Sequence, residues 1–327
     1  MMKARLLAFL CAVVLAAAPA APSEAQVKKV RVAIPGYTIA MVSLLAAKTN
    51  GYYTAEGLEV DLVAMQAPTA NLAVVAGNVE FSAVPLAGLT TALRGAPLKL
   101  LFCQFDKPQH GVFAKPEIQN LQMLRGKKIA VAGLGVIDGI LMKEVLIANG
   151  IDPARDVTLL SVGASDTRFT ALATGVVDAA VLIAPYTFNA KDIGLKELLA
   201  FKDQGFVLPS GGIVARDDLL KGDPSTVEKF VRGTLMGFLF TRDNRAGTIK
   251  ILARNLKVDE ALAAKVYDGS RPTMTADGSL PDEAQKKMLG MVAKLAGAKE
   301  ASPPESPFDF SVIRRAHATL RSKGWQP

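Results

Sequence analysis

Two stretches of the chain carry the same order of apolar and polar positions. In GASDTRFTALATGVVDAAVLIAPY, from Gly163 to Tyr186, Ser165 and Asp166 are cap candidates for a helix with Phe169, Leu172 and Ala173 on one face. Gly175 breaks that helix, the apolar run from Val177 to Ile183 predicts a buried strand, and Pro185-Tyr186 closes it. The stretch from Ala67 to Leu86, APTANLAVVAGNVEFSAVPL, repeats the pattern. Gly77 answers Gly175, Val79 answers Val177 and Glu80 answers Asp178, at a lag of 98 residues. Asn50-Gly51 falls 99 residues before Asn149-Gly150, and VRVAI at Val30 falls about as far before KKIAV at Lys127. The chain therefore reads as two successive βαβαβ units with a cleft between them.

Taken in order, Val27–Ile34 alternates and then runs apolar into the turn Pro35-Gly36-Tyr37-Thr38, before a helix with Met41, Leu44, Leu45 and Ala47. Strands follow at Leu58–Val63, Val79–Val84 and Leu98–Phe105, with helices opening at Ala67 and spanning Leu86–Leu93. Strands and helices alternating at this spacing predict a parallel sheet covered on both faces. The polar FDKPQH, Phe105–His110, is a crossing between lobes. The second unit then reads as strand Gly111–Ala114, strand Ile129–Val131, turn AGLGVID, helix Gly139–Ala148 and strand Val157–Val162. Lys202–Gly205 is the second crossing, and Ser210–Ala215 re-enters the first lobe. The rest is helical. Asp223-Pro224 caps a helix with an apolar stripe through Val227, Phe230, Val231, Leu235, Phe238 and Leu239; further helices cover Ala261–Tyr267, Pro281–Leu295 and Ser311–Ser322, with a Pro-rich spacer from Ser302. These helices are expected to pack on the first lobe. The domain division is residues 1–25 as a leader, 26–107 with 208–327 as lobe I, and 108–207 as lobe II.

Composition adjusts this picture at the amino end. Lys3 and Arg5, the apolar run Leu6–Ala18 and the small-x-small Ser23-Glu24-Ala25 form a secretory signal with Gln26 as mature start. Its apolar run is too short to span a membrane. Cleavage removes Cys11, leaves Cys103 alone, and takes the net charge from +8 to +7. Basic residues are dispersed, and aromatics, at 6% of the chain, do not interleave with them, which argues against nucleic acid as a partner.

The candidate chemistry is sparse. Gly133-x-Gly135-x-x-x-Gly139 lies between a strand and a helix, but the next strand ends in Ser161-Val-Gly163 without the acid that a dinucleotide fingerprint requires. A tight turn, or a helix start whose N–H groups hold an oxyanion, are the remaining readings. Arg168 is either a surface arginine paired with Asp166 or a fork aimed into the cleft to hold a carboxylate or sulfonate. Tyr37 and Tyr186 occupy equivalent turns, as packed aromatics or as two walls of a ligand site. His110 reads as an exposed residue of the crossing, with reaching the ligand as the alternative, and His317 as part of a solvated helix face. With two histidines and no metal-spaced motif, no metal or cofactor is expected. Cys103 lies in an apolar strand as an inert thiol.

The segments VRVAIPG, NGYYTAEGLEVDLV, AGNVEFSAVPL, RGAPLKLL, LRGKKIAV, TRFTALATGVVDAAVLIAPY and GGIVARDDLL, in this order, resemble the periplasmic solute-binding proteins of ABC importers in the nitrate/sulfonate/taurine group (NMT1/THI5-like, SsuA/TauA-type). The resemblance implies an α/β type II periplasmic-binding-protein fold, with two lobes, two hinge crossings and a ligand cleft that closes on a small organic solute, expected to be a carboxylate or sulfonate. It implies a membrane permease and its ATPase as partners, a monomer, and a periplasmic location. It further implies a cleft lined by Gly36, Tyr37, Thr38, Val84, Pro85, Leu86, Gly135, Val136, Asp138, Asp166, Arg168, Pro185 and Tyr186. The same superfamily includes a pyrimidine-precursor synthase and a desulfinase. The synthase's cysteine-rich motif is absent here, as is a cysteine in the first-strand turn, so binding is expected over catalysis; a ligand-sensing module is a further alternative.

Overall fold

The structure is a computed structural model that describes residues 27–295 and 306–327; the leader and most of the Pro-rich spacer lie outside them. The first stretch runs β1 (Lys28–Ile34), α1 (Val42–Thr49), α2 (Tyr52–Ala55), β2 (Leu58–Ala64), α3 (Ala67–Val75), β3 (Phe81–Ser82), α4 (Pro85–Leu93) and β4 (Leu98–Phe105). The chain then builds β5 (His110–Ala114), β6 (Lys128–Val131), α5 (Ile137–Ala148), β7 (Thr158–Ser161), α6 (Ser165–Ala173), β8 (Ala179–Ile183), α7 (Tyr186–Asp192) and β9 (Lys196–Ala200). It returns as β10 (Ser210–Arg216), followed by α8 (Asp217–Gly222), α9 (Pro224–Asp243), α10 (Arg245–Leu256), α11 (Glu260–Ser270), α12 (Asp282–Leu295) and α13 (Ser311–Ser322).

Two five-stranded sheets result, in the orders β2-β1-β3-β10-β4 and β7-β6-β8-β5-β9. They are the same design, with β1, β2 and β3 corresponding to β6, β7 and β8. The turn glycines that mark the repeat also correspond: Gly77 and Gly175 have φ of 75° and 77°, and Gly51 and Gly150 have 70° and 71°, left-handed values that a Cβ disfavours. Each sheet is mixed where the spacing predicts a parallel one. β10 runs antiparallel to β3 and β4, and β5 antiparallel to β8 and β9. The reason is topological. β5 and β10 are the strands by which the chain arrives from the other sheet, so each enters at the edge where its neighbours leave.

The third strand is shorter than its pattern, because only Phe81 and Ser82 of the apolar stretch Val79–Val84 pair with β1. Phe81 anchors the main core, stacking 4.0 Å from Phe230 of α9, which stacks 5.3 Å from Tyr53 on its other side. All three rings are buried, and burying each contributes on the order of 2 kcal/mol. The α9 start is fixed as its sequence implies: Asp223 accepts from the Thr226 N–H at 3.2 Å and Pro224 needs no partner for its nitrogen. The first sheet carries the C-terminal helices, as expected, with α9 packed on α1 and α13 on α9. Among the described residues no helix is long and apolar enough to cross a membrane.

The halves also touch. Ile39 N–H donates to Ala184 O at 3.4 Å, Gln109 Nε2 to Thr273 Oγ1 at 2.8 Å, and Lys294 of α12 pairs with Glu144 of α5 at 3.2 Å. A small apolar cluster crosses the seam, joining Ile39 and Phe105 to Ile183, Ala184, Val266 and Tyr267.

Candidate ligand cleft

The carboxyl ends of β1, β3, β6, β7 and β8 face one another across a cleft of about 770 Å³, open mouth included. This is the edge at which open α/β sheets bind ligands. The first half contributes Pro35, Thr38, Met41, Gln66 and the run Ala83–Ala87; the second contributes His110, Ala132, Val136–Asp138, Gly163–Ser165, Arg168 and Ile183. Ser210 and Gly211 of β10 complete the wall. Gly211 has φ of 69°, and a Cβ there would lie 2.5 Å from Ala40 O, so this wall tolerates only glycine.

Of the residues singled out from the sequence, Thr38, Val84, Pro85, Leu86, Val136, Asp138 and Arg168 line the cleft. Gly36, Tyr37, Gly135, Asp166, Pro185 and Tyr186 do not. Tyr37 is exposed at the rim. Tyr186 instead packs on Phe169, ring centroids 5.9 Å apart, so the two tyrosines form no pair of walls. Asp166 is exposed in the first turn of α6, where its carboxylate accepts from the neighbouring Thr167 N–H at 2.7 Å.

Arg168 lines the cleft, as the fork reading expects, and is buried rather than on the surface; its charge partner is Asp138, with Nη2 3.3 Å from Oδ2. Its Nε donates to Val181 O at 2.7 Å and its Nη1 to Gly163 O, so two of the five guanidinium N–H groups are hydrogen-bonded within the second half and Nη2 is ion-paired there. Burial pushes the pKa of Arg168 below its ordinary value, with Asp138 and then Asp166 pulling it back. Asp138 is itself buried and further satisfied, accepting from Ala132 N–H at 2.7 Å and Gly139 N–H at 2.9 Å. The α5 start, considered above as a holder of an external oxyanion, carries a carboxylate of the chain. Gly139 explains the glycine pattern there, because a Cβ would lie 2.1 Å from Gly133 O. The tight-turn reading accounts for it.

His110 is not an exposed loop residue. It opens β5 opposite Ile183, lines the cleft, and has its Nδ1 sealed from water without a hydrogen-bond partner. Burial pushes its pKa down to about 4, against a smaller upward pull from Asp138 and a further downward push from Arg168. The imidazole is therefore neutral at pH 7. Sequence reasoning favoured the exposed reading over the ligand-reaching one because FDKPQH reads as a polar connection, whereas the crossing ends one residue earlier. His317 is half-buried and bonded to Asp277 O at 2.8 Å rather than free in solvent. Cys103 is buried in β4, its thiol donating to Phe105 O at 3.2 Å and its pKa pushed up by burial. Among the described residues no group of three or more His, Cys, Asp or Glu side chains is arranged to hold a metal ion.

The NMT1/THI5 like family profile matches residues 39–246, which takes in the second sheet, the first sheet except β1, and every wall of this cleft except the turn at Pro35–Thr38. The chain belongs to the NMT1/THI5-like family. Within reach of the family, a curated relative, the riboflavin-binding protein RibY of Chloroflexus aurantiacus, is 28% identical over 245 residues, covering 70% of this chain. The chain spans 66% of RibY's length, just under two thirds. Solved structures share the fold. The alkanesulfonate-binding protein SsuA from Xanthomonas axonopodis pv. citri, bound to MOPS, superposes with a TM-score of 0.69 at 20% identity, over 88% of this chain and 97% of that one. The periplasmic nitrate-binding protein NrtA from Synechocystis PCC 6803 does so with a TM-score of 0.73 at 14% identity, over 90% and 89%.

Proposed function

We propose that this protein is the periplasmic solute-binding component of an ABC importer, exported by its leader, cleaved near Ala25 and working as a monomer. It captures a small organic solute between lobe I (residues 26–107 and 208–327) and lobe II (108–207), closes about the two crossings, and presents the closed form to a membrane permease driven by an ATPase. The observation that carries this reading is the cleft between two repeated sheets joined by two passages of the chain, in a family whose relatives are named for solute binding. Enzymatic turnover finds less support: the Cys103 thiol is buried in β4 away from the cleft walls, and the neutral His110 has no acidic hydrogen-bond partner. The names of the relatives range from riboflavin to alkanesulfonate and nitrate. The family therefore does not select the solute class.

Closure on a solute stabilises the folded state by RT ln(1 + [L]/Kd), about 2.7 kcal/mol at a concentration of 100 Kd. Thermal unfolding of protein refolded free of carried-over solute, against riboflavin, alkanesulfonates, carboxylates, pyrimidines and nitrate, is expected to show a concentration-dependent rise in Tm with one class. A panel that moves nothing, together with catalytic turnover of any member, would replace this reading with an enzymatic one.

A further inference from the structure

The only charged side chains among the described residues that line the cleft are Asp138 and Arg168, and they face each other. An anion entering the cleft would find a guanidinium whose charge is already balanced. It would also lie close to the carboxylate, which repels it at short range in a site of low dielectric. The other walls are apolar or uncharged: Met41, Val84, Leu86, Ile137 and Ile183, with the polar groups of Thr38, Gln66, Ser165 and Ser210 among them. Ser165 is already engaged, its Oγ accepting from Ile183 N–H at 3.2 Å. His110 also lines the cleft, but its Nδ1 is sealed within the protein, out of reach of a solute.

Resting on the solute-binding reading above, we infer that the cleft selects an uncharged, largely apolar solute and discriminates against carboxylates and sulfonates. A ring or short chain bearing an amide, lactam or hydroxyl function has the required chemistry. Its apolar body covers the Met41, Leu86 and Ile183 walls, and its polar group has Thr38, Gln66 and Ser210 on the same walls as partners. Arg168 and Asp138 then act as a fixed, internally balanced dipole that shapes the floor, and not as an anion anchor.

The test uses matched pairs that differ in charge but scarcely in shape: benzamide and benzoate, benzenesulfonamide and benzenesulfonate, riboflavin and its monophosphate. Binding is measured by calorimetry on the refolded full-length mature protein. The uncharged member of a pair is expected to bind at least about tenfold more tightly than its anion, the scale of one unmatched buried charge or bond. Asp138→Asn leaves Arg168 unbalanced and should raise the affinity for the anions. Circular dichroism of the variant keeps a folding defect separate from a binding one. Anions that bind as tightly as their uncharged partners overturn the inference and leave the importer reading standing. A panel in which neither member of any pair binds counts against the importer reading itself.

Discussion

At the scale of single residues, close approach and burial set what can change. A Cβ on Gly139 would stand 2.1 Å from Gly133 O, a contact that only backbone movement relieves, so Gly139→Ala should destabilise by about 2 kcal/mol, read from chemical denaturation. A neutral result would mean that the β6–α5 turn yields more easily than its packing indicates. His110 makes a second prediction. Its ordinary pKa of 6.5 falls to about 4 on folding, so between those values the unfolded chain binds a proton that the folded one refuses. Its contribution is complete above pH 6.5 and declines as the pH falls towards 4, by at most on the order of 3 kcal/mol. Asp223, held low first by its bond to Lys28 and then by Thr226, acts further down. Its contribution is present above its ordinary 3.8 and lost as the pH drops through its lower folded value. Stability measured from pH 7 to 4 should therefore slope downward, and His110→Asn should flatten the slope. An unchanged slope would show that the imidazole protonates freely in the folded protein.

The cleft residues were legible in the sequence where they belong to strand-to-helix turns. Thr38, Val84, Pro85, Leu86, Val136 and Asp138 sit where any βα turn of this design meets the open edge. What the sequence conceals is pairing. Asp138 and Arg168 are 30 positions apart and belong to different helices, so nothing local announces that each cancels the other. Asp166, two positions from Arg168, is the partner that local spacing offers, yet its carboxylate accepts from the next residue's N–H instead.

At the scale of elements, the packing of α9 on α1 is the closest contact between helices of the first half. Gly237 lies so near α1 that a Cβ would stand 2.2 Å from Ser43 O and 2.7 Å from Ala47 N. Gly237→Ala should cost about 2 kcal/mol or more despite the better helix propensity of alanine, which alone would add about 1 kcal/mol. A Tm that rises would show the two helices to be farther apart. The elements legible from pattern are those with a clean period: β4, whose predicted bounds coincide with the observed Leu98–Phe105, and α13, whose bounds do likewise at Ser311–Ser322. The missed ones lack it. β9, Lys196–Ala200, is an edge strand paired only with β5 and carries charge at two of its five positions. α7, Tyr186–Asp192, follows a proline that reads as an end. α10, Arg245–Leu256, hides its buried Ile249, Ile251 and Leu252 among basic residues.

At the scale of the whole molecule, the two halves are held by few polar ties. Lys294 and Glu144 join α12 to α5 across the seam, and a Cβ on Gly163 would meet the Gln66 side chain at 3.1 Å. With the lysine side chain 75% exposed, the pair contributes little to folding, about 0–1 kcal/mol. Its effect is on the separation of the halves. Lys294→Glu sets two carboxylates face to face, and should enlarge the radius of gyration in small-angle scattering and weaken solute binding while leaving Tm nearly unchanged. A fall in Tm without expansion would place the pair in folding instead. At this scale the sequence was most legible, because a duplicated pattern with two polar crossings constrains topology strongly. The direction of β5 and β10 was not, since periodicity reports burial and says nothing of which way a strand runs.

That exchange of strands has a temporal consequence. Every strand of the second sheet comes from one unbroken segment, His110 to Ala200, whereas in the first sheet β4 has no neighbour until Ser210–Arg216 arrives to lie beside it. In a chain emerging amino end first, the half begun later is the half finished earlier. Pulsed hydrogen exchange on refolding chains released at successive lengths should find the amides of β6 and β8 shielded in fragments ending before Ser210, and those of β4 shielded only in longer ones.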